Sequence, residues 1–494
     1  MGMILKIRTL LIASAGAIAL SLSAHAGAQA SSDASIDLEP CELTLPWAAA
    51  AAKAECGAFA VPEDPARPEG RHIDLNVARV PASGRSARPD PVFLFAGGPG
   101  QAATEAWLLV AGALQKVNEK RDIILIDQRG TGKSNPLKCP EMDMEEALST
   151  DWDQLESLTR NCLDHIDGDP RYYTTTIGMQ DYDLVRAALG YEQINLWGAS
   201  YGTRAAQVYL RLYPDRVRSV VLDSVVPQEL ALGVDHAIKL DQAVFRVLDN
   251  CDRDAGCGAA FPGTADLLRQ LIDLVELEPV VVEVEHPSTG EPLSLTFDRD
   301  ALSASLRFLM YSSDTQAMLP LLIYEAATTG DLSRLASQML ISTSGLDEML
   351  ALGMEMSVMC AEDFPFFPDD DSKAGLLMGN TMIDASRVQC GIWPRGEVPS
   401  GFHDPVSSDR PVLLLSGELD PVTPPEYAER VAIHFPNSLH VIAPGQGHSV
   451  TPRGCLGDVV AEFIEQASVL GLDTACVSQM KATPYFMSLT GPKP

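Results

Sequence analysis

Residues 194–204 read Ile-Asn-Leu-Trp-Gly-Ala-Ser-Tyr-Gly-Thr-Arg. A short apolar run breaks at Gly198, and a helical pattern begins just past Ser200. A strand that turns directly into a helix holds the residue at the corner in a sharp, strained turn with its side chain exposed. Glycines two places before and two places after Ser200 remove side chains that would strike the neighbouring strand and helix. Ser200 is therefore a candidate nucleophile. The competing reading is an ordinary glycine-rich strand-to-helix turn.

A serine hydroxyl is a poor nucleophile at neutral pH. It needs a histidine base, and that histidine needs a carboxylate to fix its tautomer. On a strand–turn–helix corner of this kind the chain order is serine, then acid, then histidine. After Ser200 come His236, His286, His403, His434, His440 and His448. Only His448 follows a clear strand, Leu439 to Ala443, in a glycine-rich loop, Pro444-Gly445-Gln446-Gly447. His440 lies inside that strand and His434 ends a helical pattern, where a cation suits the helix dipole. For the acid, the apolar strand 411–415 runs into Ser416-Gly417-Glu418-Leu419-Asp420-Pro421. Asp420 stands just past the strand end in a turn that Pro421 helps fix, where catalytic groups in open α/β sheets collect. Glu418 is its competitor, and a plain turn-forming role is the other alternative.

A reaction through a tetrahedral oxyanion also needs backbone donors. Tyr201, the residue after the nucleophile, supplies one N–H. The loop Ala96-Gly97-Gly98-Pro99-Gly100 after the strand 91–95 supplies the other. Gly98 is preferred there and Gly97 is second.

Short apolar runs near 72–77, 92–95, 122–126, 193–197 and 218–223 alternate with helical patterns, such as Gln180 to Leu189 ending at Gly190. Strand and helix alternating this way predict an α/β fold, a mostly parallel doubly wound sheet. Sheet strands resume only at 411–415 and 438–443, before a last helix near Asp458 to Val469. The intervening stretch reads mostly helical, for example at 267–277 and 301–310, with a hairpin at 280–284 and 293–296. It is too long for a loop and predicts a large, mainly helical cap. The expected boundaries are a signal peptide at 1–30, the first part of the core at 31–226, the cap at 227–403 and the second part of the core at 404–494. Ala48 to Ala52 reads as a surface loop or helix turn.

Gly97-Gly98-Pro99-Gly100, then Asp127-Gln128-Arg129-Gly130-Thr131-Gly132-Lys133-Ser134, then Gly198-Ala199-Ser200-Tyr201-Gly202 resemble the prolyl iminopeptidase and tripeptidyl aminopeptidase family. That family consists of α/β-hydrolase serine exopeptidases, and the resemblance runs from about Cys41 to Cys476. Val358-Met359-Cys360-Ala361-Glu362-Asp363 resembles a cap stretch in which a glutamate receives the free amino terminus of the peptide. The resemblance thus makes Glu362 the amine-binding candidate and implies peptide substrates with a free amino terminus. The chain departs from the pattern after Gly100, where Gln101-Ala102-Ala103 follow. A carboxylesterase with the same three groups is one alternative, and a non-catalytic binding protein on a hydrolase fold is another.

Gly130-Thr131-Gly132-Lys133-Ser134 ends like a phosphate-binding loop, but that motif needs a glycine where Asp127 stands. The segment reads as a structural turn, with Asp127 and Arg129 paired or hydrogen-bonded. There is no His-Glu-x-x-His and no paired Cys-x-x-Cys, so neither metal nor cofactor is expected.

Lys6 and Arg8 precede an apolar run to about Leu22, with small-residue cleavage sites at Ala24-His25-Ala26 and Ala28-Gln29-Ala30. This is the pattern of an export signal, too short to span a bilayer comfortably. It predicts a periplasmic or extracellular protein without stable membrane insertion. No cysteine lies near the cleavage point, so a lipid anchor is not expected. All ten cysteines come later, which in an exported chain points to disulfides. Proximity favours sequential pairs, among many other connectivities: Cys41–Cys56, Cys139–Cys162, Cys251–Cys257, Cys360–Cys390 and Cys455–Cys476. The net charge of −31 disfavours nucleic acid as a partner. Oligomeric state is not readable from the chain.

Overall fold

The computed structural model describes residues 35–45, 48–140, 151–287, 289–343, 349–368 and 375–491. The expected signal peptide lies outside them. Among the described residues the strands are β1 Glu39–Leu45, β2 Ala48–Pro62, β3 His72–Val80, β4 Val92–Phe95, β5 Ile123–Ile126, β6 Ile194–Ala199, β7 Val217–Asp223, β8 Val280–Glu285, β9 Pro292–Phe297, β10 Val412–Gly417 and β11 Ser438–Ala443. Nine of these form one sheet in the order β1-β2-β3-β5-β4-β6-β7-β10-β11, and β8 pairs with β9 alone. The run from β5 to β11 is parallel, while β1, β2 and β3 form an antiparallel edge.

The central strands read as unbroken apolar runs because both faces are covered. Every residue of β4, β5 and β10 is buried, as parallel strands under helices require. Side-chain period two then splits each strand between two cores. Phe93, Phe95, Ile124, Leu196 and Leu414 go to one face, and Val92, Leu94, Leu125, Trp197 and Leu413 to the other. Each such side chain contributes roughly 1.5–3 kcal/mol by leaving water.

Between β7 and β10 the chain leaves the sheet. Helices at His236–Arg253, Thr264–Leu277, Arg299–Leu309 and Leu319–Thr329 pack with the β8–β9 hairpin around a third core that includes Leu240, Leu271, Phe297, Leu306 and Leu322. All ten cysteines pair in the sequential pattern.

The alanine-rich run 48–52 is not a loop or helix turn. It opens β2, which pairs with β1 in a register that sets Cys41 opposite Ala54 and lets Cys41 bond Cys56. Alanine has no strand preference of its own, so pairing on the sheet edge overrides local propensity. The helix read at 180–189 starts earlier, at Thr175, because the side chain of Thr174 caps it.

Parallel register decides what the sheet can present. Phe95 stands opposite Gly198, Ala199 opposite Asp223, Leu415 opposite Asp223, and Gly417 opposite Ala443. Five strands therefore end along one rim, and five loops leave it together.

Candidate active site

Ser200 sits at the junction of β6 and the helix Tyr201–Leu212, with φ 56° and ψ −126°. For a residue with a Cβ this is a strained conformation. The neighbouring glycines make it possible. A Cβ on Gly202 would run into the Phe95 carbonyl, and one on Gly198 into the backbone of Gly202. The turn is pinned at its start, where the Ser200 N–H donates to the Asp223 carbonyl (3.0 Å).

Asp420 and His448 meet. His448 Nδ1 stands 2.8 Å from Asp420 Oδ2. Asp420 is otherwise fully engaged: Oδ1 accepts from the backbone of Val422 (2.9 Å) and Thr423 (2.8 Å), and Oδ2 from Thr423 Oγ1 (2.8 Å) and Ser224 Oγ (3.1 Å). Burial alone would raise this carboxyl. The adjacent imidazole and the hydrogen bonds outweigh it and hold Asp420 at about 2. Burial likewise works against an imidazolium at His448, yet the Asp420 charge wins and raises it above the ordinary histidine value. Glu418, the competing acid, is exposed and accepts from the Gly445 N–H (2.8 Å).

The remaining histidines go elsewhere. His440 faces Ser416 Oγ (3.0 Å), and burial pushes it down to about 4. His403 bridges the carbonyls of Gln228 (3.2 Å) and Glu362 (2.7 Å). His236 contacts Arg307 (3.3 Å).

The loop after β4 lies against the serine: a Cβ on Gly97 would stand 3.4 Å from Ser200 Cβ. Gln101 separates the two glycine candidates. Its Oε1 accepts the Gly97 N–H (3.2 Å), whereas Gly98 (φ 101°) has no acceptor among the described residues. The departure at Gln101 thus engages the Gly97 N–H and leaves that of Gly98 without an acceptor among the described residues.

Asp127 and Arg129 do not pair with each other. Asp127 accepts from Thr104 and Asn76, while Arg129 forms a buried ion pair with Asp181 (2.6 Å). Both brace the turn.

Glu362 lies on a single π-helical turn, Met359–Asp363. It is 1 % exposed, and Thr175 takes both its oxygens: the backbone N–H at 2.6 Å and Oγ1 at 2.8 Å. Thr175 Oγ1 also meets Tyr201 Oη (2.7 Å). Burial pushes Glu362 up to about 7. Beside it, Asp363 forms a fully buried ion pair with Arg204 of the helix after Ser200 (2.8 Å). The insertion is thereby fastened to the helix that follows Ser200.

Sequence reasoning missed the brace at the end of β7. Asp223 accepts the backbone N–H groups of Val450 (2.9 Å) and Thr451 (2.7 Å). Ser224 accepts from Ser449 N (2.8 Å) while donating to Asp420. Two adjacent residues thus tie the serine turn, the acid and the histidine loop together. The available signal was Leu222-Asp223-Ser224 at a strand's carboxyl end. Asp223→Asn puts an NH2 where one N–H needs an acceptor, which costs about 1–3 kcal/mol. The expected result is a lower melting temperature and a kcat reduced by roughly tenfold or more with KM little changed. A variant with wild-type kcat would show that the histidine loop holds itself.

Two known families map onto this geometry. The alpha/beta hydrolase fold family matches residues 90–255, and the TAP-like protein family matches residues 376–476. The chain has the α/β-hydrolase fold, and its C-terminal part is similar to the TAP-like protein family. It is a serine hydrolase. Serine protease Hip1 of Mycobacterium tuberculosis is 25% identical over 466 residues, 87% of this chain and 88% of that protein. Tripeptidyl aminopeptidase of Streptomyces lividans is 32% identical over 229 residues, 42% of this chain and 40% of that protein. Carboxylesterase B of Mycobacterium tuberculosis is 33% identical over 228 residues, again 42% and 40%. Among the described residues of this α/β-hydrolase, no helix is long and apolar enough to cross a membrane.

Proposed function

We propose that this α/β-hydrolase is an exported serine exopeptidase that releases residues or short peptides from free amino termini. The observation that carries the reading is the buried Asp420–His448 pair on the same sheet rim as the strained Ser200. Similarity to proteins named as a serine protease and a tripeptidyl aminopeptidase supports peptide bonds as the target. Five disulfides support export. Residues 227–403 act as the cap over Ser200 in this reading.

Ser200 Oγ attacks the scissile carbonyl carbon, and His448 Nε2 takes its proton. The positive charge that develops on His448 is stabilised by Asp420 through Nδ1. The oxyanion is met by the N–H groups of Tyr201 and Gly98, each donor being worth roughly 3 kcal/mol. His448 then returns the proton to the leaving amine, whose bond to the carbonyl breaks. Water, deprotonated by the same imidazole, cleaves the acyl ester and regenerates Ser200. The resemblance gives Glu362 the incoming amine; each of its oxygens accepts one hydrogen bond from Thr175, and a carboxylate has lone pairs left for an ammonium. Glu362 also holds Thr175, and through it the Tyr201 side chain, in place.

The test is hydrolysis of paired aminoacyl and tripeptidyl chromogenic amides, free and N-acetylated, beside a p-nitrophenyl ester. The expected result is strong preference for free-amine peptides. Comparable rates on acetylated peptides would replace the exopeptidase with an endopeptidase or general amidase. Turnover of the ester alone would favour a carboxylesterase, the second reading, which the similarity to carboxylesterase B supports.

A further inference from the structure

A cavity of about 210 Å³ lies where the helices Trp152–His165, Leu352–Val358 and Thr381–Ile392 meet. Leu155, Leu352, Met356, Met359 and Met382 line it, and the disulfides Cys139–Cys162 and Cys360–Cys390 close its walls. Among its lining residues Glu355 is the one with a charge. No donor among the described residues bonds the Glu355 carboxylate, in contrast to Glu362 seven positions on. Arg307, whose charge acts on Glu355, turns its guanidinium to His236 (3.3 Å) and to the sulfur of Met382 (3.0 Å).

One wall of the cavity is tied to the loop after β4. Leu350 bridges to Gln101, and the Ala351 N–H donates to the Gly100 carbonyl (3.0 Å), next in the chain to the lining residue Leu352. The charge of Arg307 bears on both Glu355 and His448.

We propose that this cavity is a substrate subsite for a long side chain ending in a cation, with Glu355 receiving a lysine-type ammonium and the methionines packing its aliphatic stem. The proposal rests on the peptidase reading above. An isolated carboxylate in an apolar cavity is costly unless paired; burial pushes Glu355 up to about 7, and a bound ammonium would restore its charge. Thioether side chains adapt to a flexible stem, which a lysine can bury while its head finds the acid. The strongly acidic chain, net −31, also draws cationic peptides toward it.

The experiment compares kcat/KM for tripeptidyl amides that differ at one position, lysine, acetyl-lysine or norleucine, scanned through the three residues before the cleaved bond. Each is used with a free and an acetylated amino terminus. At one position wild type should favour lysine over both analogues by roughly 30-fold, and Glu355→Gln should abolish that preference while cleaving the norleucine peptide normally. Pentylammonium should also inhibit hydrolysis of an uncharged ester by wild type, and fail to inhibit Glu355→Gln. No lysine preference in wild type at any position overturns the subsite. So does a Glu355→Gln variant that keeps the lysine preference or loses only discrimination against acetylated amino termini; the latter assigns Glu355 to the α-amine. Failure of the peptidase reading is separately visible, as ester turnover without cleavage of any peptide, and leaves pentylammonium inhibition to decide whether Glu355 binds a cation.

Discussion

Ser200→Ala is expected to lower kcat/KM by roughly 10⁴-fold or more on every substrate the protein hydrolyses, because serine, histidine and acid act as one unit. The fold should not register the change. Alanine keeps a Cβ at the same φ of 56°, so backbone strain is neither relieved nor increased. The Ser200 N–H bond to Asp223 and the clearances at Gly198 and Gly202 involve only backbone. The melting temperature should therefore stay within a few degrees of wild type, and labelling by a fluorophosphonate should vanish. Near-normal turnover by the variant would falsify the assignment of Ser200.

The second large effect is expected from Asp420→Asn, a loss of roughly 10⁴-fold in kcat. The substituted amide would retain one oxygen for the Val422 and Thr423 N–H groups, which leaves its NH2 facing His448 Nδ1. The imidazole would then present the wrong tautomer to Ser200. Glu418→Gln should be mild, since that side chain only accepts from the Gly445 N–H on an exposed surface. An inactive Glu418→Gln beside an active Asp420→Asn would reverse the assignment of the acid. The same geometry sets the pH dependence. His448 must be neutral to accept the serine proton, and Asp420 raises its pKa. The acid limb of kcat/KM should therefore lie above the ordinary histidine value of about 6.5. Removing the Asp420 charge should move whatever activity survives toward lower pH. An acid limb that stays in place in Asp420→Asn would separate His448 from the rate.

Local grammar made the serine turn legible. Gly198 and Gly202 are demanded by atoms within a few residues or on the adjoining strand, so the motif shows in the letters. Asp420 and His448 were legible by the same logic, each standing just past an unmistakable apolar strand. The β1–β2 edge was not, because alanine-rich segments carry little strand preference and the pairing depends on a second segment of the chain. Asp223 and Ser224 escaped because their role is to bond the backbone of residues more than two hundred positions away.

Glu362 and Glu355 mark the same boundary within one short segment. Both are glutamates in an otherwise apolar stretch, and resemblance favoured the former. Which carboxylate bonds Thr175 and which lines a cavity follows from the π-helical turn at Met359–Asp363 and from how the insertion seats on the helix after Ser200. The sequence by itself determined the alternation of strands and helices, the strained serine and the order of serine, acid and base, because these rest on periodicity and on clashes between near neighbours. Only the tertiary structure decided which backbone donor stays free and which glutamate lines a cavity. Those depend on side chains converging from distant loops onto one sheet rim, where a displacement of an ångström makes or breaks a hydrogen bond.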